Sequence, residues 1–211
     1  MNVAEVRPAG ELLGDVIAEL DRVFGALAEL GAAFGALAGE PLRRSDVETL
    51  RPAIFALLAD HADLVTGAGV VTAPGLLADA ARWLEWWWGA GPEPLRVNLD
   101  PAAPDFYDYT TTEWFAATAP CTAGPYVDYA CTNEYAITLS VPVPGSGVAA
   151  ADVLVTSLER RVLPALVALD RPTALTNGDG RIIASNDPDL APGLRVDAHG
   201  PGWLLVATSV S

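Results

Sequence analysis

Apolar residues between Glu11 and Ala38 recur at steps of three and four: Leu12, Leu13, Ile17, Leu20, Val23, Phe24, Leu27, Leu30 and Phe34. That spacing lines one face of a helix and predicts an amphipathic helix there. Gly25, Gly31, Ala32, Ala33, Gly35 and Ala36 let a neighbouring element approach closely, although the glycines among them lower helix propensity. Ser45 precedes Glu48 by three positions, a capping-box arrangement that predicts a second helix through Ile54, Leu57 and Leu58. Residues 10–61 are therefore expected to be helical.

After His61 the hydrophobic period shortens. LVTGAGVVTA, RWLEWWWGA and LRVNLD read as strands or strand-like segments, with turns at Pro74-Gly75 and from Gly89 to Pro92. GPYVDYACT, EYAITLSVPVP and SGVAAADVLV form a second strand set. Between the sets, DPAAPDFYDYTTTEWFAATA lacks strand pattern and is expected to form helical turns crossing over the sheet. Helical spacing returns from Thr156 to Leu169, with Pro164 as a kink. In TALTNGDGRIIASN, Asn177-Gly178-Asp179-Gly180 supplies the positive-φ turn of a hairpin, and WLLVATSV closes as a final strand. Five or more strands, with helices in front, in the crossover and before the hairpin, predict an α+β fold with an antiparallel sheet. The expected division is a helical segment at 1–61 and a sheet domain at 62–211.

Composition narrows what such a fold can do. The chain has 27 acidic against 12 basic residues, a net charge of −15, so its field argues against nucleic acid and anionic membranes as partners. Every basic residue is an arginine, and a chain without lysine has no Schiff-base chemistry, PLP attachment or Walker A loop. Cys121 and Cys131, with nine residues between them, match no metal or redox pattern together with His61 and His199, so neither metal nor cofactor is expected. The cysteines are expected to be reduced and structural, a disulfide or a pocket-lining thiol being the alternatives. MNVAEVRPAGELL has no signal-peptide pattern and no run of about twenty apolar residues follows, which leads to the expectation of a cytoplasmic protein without a membrane partner.

The chemistry-bearing residues are concentrated from Asp105 to Tyr135. Tyr107, Tyr109, Trp114, Phe115, Tyr126, Tyr129 and Tyr135 interleave there with Asp105, Asp108, Glu113, Asp128 and Glu134, and no basic residue falls among them. Aromatic faces attract a cation by about 0.5–2 kcal/mol each, and carboxylates accept its hydrogen bonds, so the combination suits an ammonium group. Taken singly, each of these residues reads first as a core aromatic or a solvated acid, and the case rests on their combination. Trp83, Trp86, Trp87 and Trp88 alternate between faces if they lie on a strand, so at most two of them could line one pocket.

YDYTTTEWF, GPYVDY, ITLSVPV and GVAAADVLV, in that order and followed by the hairpin TALTNGDGRIIAS, resemble the Cache domains, sensor modules related to PAS-like folds. The resemblance covers roughly residues 63–210. It implies a central antiparallel sheet holding a small ligand under a crossover segment. In amino-acid-sensing members, a tyrosine is followed five residues later by an arginine that takes the ligand carboxylate. A tryptophan and a tyrosine follow, and later two aspartates take the amine. Here the matching positions are Tyr107, Thr112, Trp114, Phe115, Asp128 and Asp152. Threonine at the arginine position cannot form the bidentate charged pair with a carboxylate, so the resemblance implies a ligand that keeps its amine and does not need a carboxylate. Arg96 is the nearby basic residue that could otherwise serve one.

Taken together, these observations predict a sensor module for an amine or amino acid. Asp128 and Asp152 are its ammonium acceptors, Tyr107, Trp114 and Phe115 its aromatic enclosure, and Tyr109, Tyr126 and Glu134 further contacts. Signalling is expected through homodimerisation along the N-terminal helix or through a partner protein. Other assignments compete: Asp152 as the cap of a helix starting near Ser157, and Asp128 as a turn residue. At the level of function, the alternatives are an interaction scaffold with a vestigial pocket and an acid/base enzyme using Asp128 with Asp152 or Glu134.

Overall fold

The computed structural model describes residues 9–37, 41–169, 171–190, 196–198 and 204–208. Helices α1 (Ala9–Gly35), α2 (Arg44–Val47) and α3 (Arg51–Asp60) come first. Strands β1 (Val65–Thr72), β2 (Leu84–Trp88) and β3 (Glu93–Pro94) follow, then a crossover containing the short helix α4 (Glu113–Ala116). Next are β4 (Cys121–Val127), β5 (Tyr135–Val143), β6 (Gly147–Leu154), helix α5 (Val155–Val167) and strands β7 (Thr173–Asn177), β8 (Ile182–Ser185), β9 (Val196–Ala198) and β10 (Leu204–Thr208). No described helix is long and apolar enough to cross a membrane. His199 lies outside the described residues.

The sequence changes from helix to strand near residue 61, but packing divides the chain elsewhere. Residues 23–154 form one compact unit, and residues up to 22 with those from 155 onward form another. The first unit holds a six-stranded antiparallel sheet in the order β3-β2-β1-β6-β5-β4. The second holds a four-stranded antiparallel sheet, β8-β7-β10-β9, in which α5 packs against β8. A single sheet was expected, and two are found. The strand β6 runs directly into α5, and the later hairpin pairs with β10 instead of returning to the first sheet.

Two local expectations are also corrected. LRVNLD is not a strand: pairing ends at Pro94, after which Leu95 N–H still donates to Trp86 O at 2.9 Å and the chain leaves to cross the sheet. Proline removes the donor that a continuing ladder needs. The helix after residue 43 is not capped through Ser45 and Glu48. Instead Arg43 N–H donates to the Asp46 carboxylate at 2.8 Å, and α2 begins at Arg44.

Each face of the six-stranded sheet is covered differently. On one, Gly31 of α1 comes close enough to Val141, Val143 and Ala149 that an added Cβ would lie 3.2 Å from a Val143 methyl, which is the close approach that the small residues permit. On the same face Ile54, Leu57 and Leu58 of α3 are buried. Here too Glu85, 2% exposed, accepts from Arg51 Nε and Trp87 Nε1, each at 2.7 Å, and from Trp83 Nε1 at 3.3 Å. This carboxylate fastens α3 to β2, and the pairing partners are what make its burial tolerable. The opposite face carries Val71, Leu84, Trp86, Ala123, Val148 and Ala150. Tyr109 and Trp114 from the crossover pack onto it, with Leu95, Val97 and Leu99 beside them.

Gly69 makes the β1–β2 pairing possible. A Cβ there would lie 2.2 Å from Glu85 O and 2.8 Å from Trp86 Cα, both backbone atoms that cannot swing aside. Gly69→Ala is expected to lower stability by about 1–3 kcal/mol through overpacking, read as a lower urea midpoint with an unchanged denaturant slope.

Candidate ligand-binding site

Paired residues in adjacent strands project to the same face, so the register decides what meets on the crossover side. Asp152 of β6 lies opposite Thr138 of β5 and opposite Gly67 of β1, and Gly67 is also opposite Trp88 of β2. Gly67 leaves a gap beside Asp152. The Trp86 indole extends into that gap, its Nε1 only 2.9 Å from where a Cβ on Gly67 would stand. Tyr107 and Trp114 descend from the crossover, and Tyr126 and Asp128 stand at the end of β4 and just beyond it. The result is a small pocket of about 20 Å³, lined by these residues with Leu84, Leu95, Ala130 and Cys131. None of its lining residues is basic.

The two aspartates play different parts. Asp152 is buried, and its Oδ1 accepts from Thr138 Oγ1 at 2.6 Å. Thr138 Oγ1 in turn accepts from the Tyr126 hydroxyl, so a three-residue chain of hydrogen bonds ends on the carboxyl group. Burial, with the Asp128 charge adding to it, pushes the Asp152 carboxyl up to about 7 against the partial relief given by Thr138. The folded protein therefore holds a proton that the unfolded chain releases near pH 4, and this group's contribution to stability falls as pH rises from about 4 to about 7. Asp152 does not cap α5.

Asp128 is a loop-former. Its Oδ1 accepts from the N–H groups of Ala130 and Cys131 at 3.1 and 3.2 Å, and its Oδ2 from Thr132 N–H and Oγ1 at 3.1 and 3.2 Å. Asn133 adopts a positive φ of 57° to close this turn, and its N–H donates to Asp128 O at 2.7 Å. Asp128 thus presents a charge to the pocket while its oxygens are committed to the turn.

Both tyrosines are held in the neutral form. Burial, then the Asp152 charge, raises the Tyr107 and Tyr126 phenols well above their ordinary range. Cys131 on the rim is a free thiol whose pKa is pushed up to about 12 by burial and by the same two aspartates, which makes it unreactive as a nucleophile. The Cys121 Sγ lies 3.3 Å from Ser140 Oγ.

Five of the eight residues expected at the site line the pocket: Tyr107, Trp114, Tyr126, Asp128 and Asp152. Tyr109 does not. It is fully buried behind the pocket, donates to Thr72 O at 2.8 Å and packs edge-on against Phe115 at 4.9 Å. Phe115 supports Trp114 from the side, their centroids 6.1 Å apart. Glu134 is exposed and borders a separate groove of about 660 Å³ formed with α3, β1 and the end of β2. Thr112 turns to its own backbone, donating to Tyr109 O at 2.7 Å. Arg96 does not line the pocket. Sequence reasoning missed Thr138, did not single out Trp86 and held a pocket-lining thiol only as an alternative for Cys131; the strand register is the signal that gives Thr138 and Trp86.

Comparison with solved structures places this arrangement in a known fold. The ligand-binding domain of the Campylobacter jejuni chemoreceptor Tlp3 in complex with L-norvaline matches with 15% identity and a TM-score of 0.56, covering 86% of this chain and 71% of that one. Methyl-accepting Chemotaxis protein X matches with 15% identity and a TM-score of 0.60, over 86% and 74%. The extracellular domain of soHK1S-Z6, described as a histidine kinase, matches with 16% identity and a TM-score of 0.56 over 78% of this chain. The chain shares the fold of these domains, the Cache type that its sequence resembles. It spans 62% of the length of the soHK1S-Z6 domain. No family model matches the chain, and no curated protein matches it. The pocket lies between the sheet and the crossover residues Leu95, Tyr107 and Trp114.

Asp128→Ala removes the acceptor for three backbone N–H groups. It is expected to destabilise the protein by about 1–3 kcal/mol and to speed amide exchange at Ala130, Cys131 and Thr132 while leaving β5 and β6 protected.

Proposed function

We propose that the chain is a small-molecule sensor module that takes a cationic, amine-bearing metabolite, with Asp152 as the ammonium acceptor. The observation that carries this reading is a buried carboxyl group in a pocket walled by Tyr107, Trp114 and Tyr126 and lacking any basic lining residue. Ionised, that carboxylate is unsatisfied in a water-poor setting; an ammonium relieves it and gains the aromatic faces. The small volume restricts the enclosed part of the ligand to a compact head group. Solved domains of this fold include one in complex with L-norvaline and one with isoleucine bound, which supports a small amine ligand.

The same geometry favours binding over acid/base catalysis. Asp128 is held by four hydrogen bonds within its turn, and Glu134 faces a different groove, so neither stands as a free proton-transfer partner for Asp152. For output, we propose pairing of two copies along α1, whose exposed Gly14, Ala18, Gly25, Ala28 and Ala32 permit close approach.

An ammonium binds the ionised form of Asp152, so binding must first displace the proton held with a pKa near 7. Affinity for ethylamine is expected to rise about tenfold per pH unit from pH 5 to pH 7 and to level off above that. Isothermal titration calorimetry across this range checks it. In Asp152→Asn the affinity is expected to fall at least tenfold at pH 8 and to lose the pH dependence. A flat profile in the unaltered protein contradicts the reading.

A further inference from the structure

Among the described residues, three buried side-chain polar atoms have no hydrogen-bond partner: Arg82 Nε, Trp86 Nε1 and Thr122 Oγ1. Of these residues only Trp86 lines the pocket. Its side chain is 5% exposed, and its N–H stands over Gly67, the register partner of Asp152. A buried indole N–H ordinarily finds an acceptor, and leaving one unpaired costs about 1–3 kcal/mol. Trp83 and Trp87 show the usual outcome on the opposite face, where both donate to Glu85. The pocket therefore borders the Gly67 gap with one acceptor, Asp152, and one unused donor, Trp86.

An ammonium alone satisfies only the first. It carries no lone pair, so beside the indole it places donor against donor. Building on the amine reading above, we propose that Trp86 Nε1–H reads an uncharged oxygen adjacent to the amine, so that the ligand class is vicinal amino alcohols and α-amino carbonyl compounds lacking a free carboxylate. Three observations fix that choice. The small pocket limits the enclosed part of the ligand to a compact head group, which favours a short spacing of nitrogen and oxygen. A carboxylate in place of the neutral oxygen would meet Asp128 and Asp152 with no basic lining residue to balance it. Thr112, at the position where the resemblance would put an arginine, is turned to the backbone of Tyr109 and offers the ligand no cation.

The test compares four probes by calorimetry at pH 8: ethanolamine, ethylamine, ethylene glycol and glycine. Ethanolamine is expected to bind about five- to tenfold more tightly than ethylamine, and glycine more weakly than either. In Trp86→Phe, which keeps an aromatic ring but removes the N–H, ethanolamine and ethylamine are expected to bind equally. Should that variant fold poorly, the unaltered protein gives the same answer by NMR. The Trp86 indole N–H resonance is expected to move downfield with ethanolamine and not with ethylamine.

Equal affinities for ethanolamine and ethylamine in the unaltered protein overturn the Trp86 assignment and leave the amine reading in place. Binding of ethylene glycol that depends on Trp86, without binding of ethylamine, overturns the amine reading and keeps the role of Trp86. Tightest binding of glycine overturns the exclusion of carboxylates, and no binding of any probe overturns both readings.

Discussion

Placing Asp152 between β1 and β5, under the crossover, imposes a cost that the surrounding residues are arranged to manage. A carboxylate removed from water without a cation is strongly disfavoured, and the protein responds in two ways. It supplies a hydrogen-bond chain from Tyr126 through Thr138, and it lets the group hold a proton up to about pH 7. Neither response ends the penalty for the charged form. In the proposed function, relief of the remaining penalty is what favours taking up a cation, while the absence of a side chain at Gly67 makes room for the Trp86 indole beside Asp152.

The walls follow from how each face of the sheet is used. The helical face consumes the arginines and acids that could have entered the pocket: Arg51 pairs with Glu85, and its guanidinium lies 5.2 Å over the Trp87 ring, while Arg44 lies 5.3 Å over Trp83. On the crossover side, Arg82 lies 5.0 Å over Phe106, outside the pocket lining. The pocket side is left aromatic and acidic. Asp128 then closes the rim by organising the turn from Ala130 to Asn133, so the second charge near Asp152 doubles as the fastening of the pocket wall.

The sequence made the strands of the six-stranded sheet legible wherever glycine and proline punctuated apolar runs, as at β1, β5 and β6. The crossover was legible from its lack of pattern. LRVNLD misled because alternation was present while Pro94 had already ended the pairing, and the second sheet was hidden because strand partners at long range leave no local trace. Within the site, Asp152 and Tyr107 were legible through family order. Tyr109 and Phe115 have the same residue types and neighbours, yet Tyr109 is fully buried with its hydroxyl on Thr72 O and the half-buried Phe115 packs against Tyr109 and Trp114, so neither lines the pocket, and such packing is not written in spacing. Thr138 and Trp86 became visible only through register, since a strand tells which residues share a face but not which lie opposite one another.

The most direct measurement is an NMR titration of the Asp152 side-chain carboxyl carbon in the ligand-free protein and in the protein saturated with ethylamine. The account predicts a midpoint near pH 7 without ligand that falls by at least one unit when the ammonium is bound. A carboxyl that titrates near pH 4 in both states, or one whose midpoint does not move on adding the amine, would contradict it.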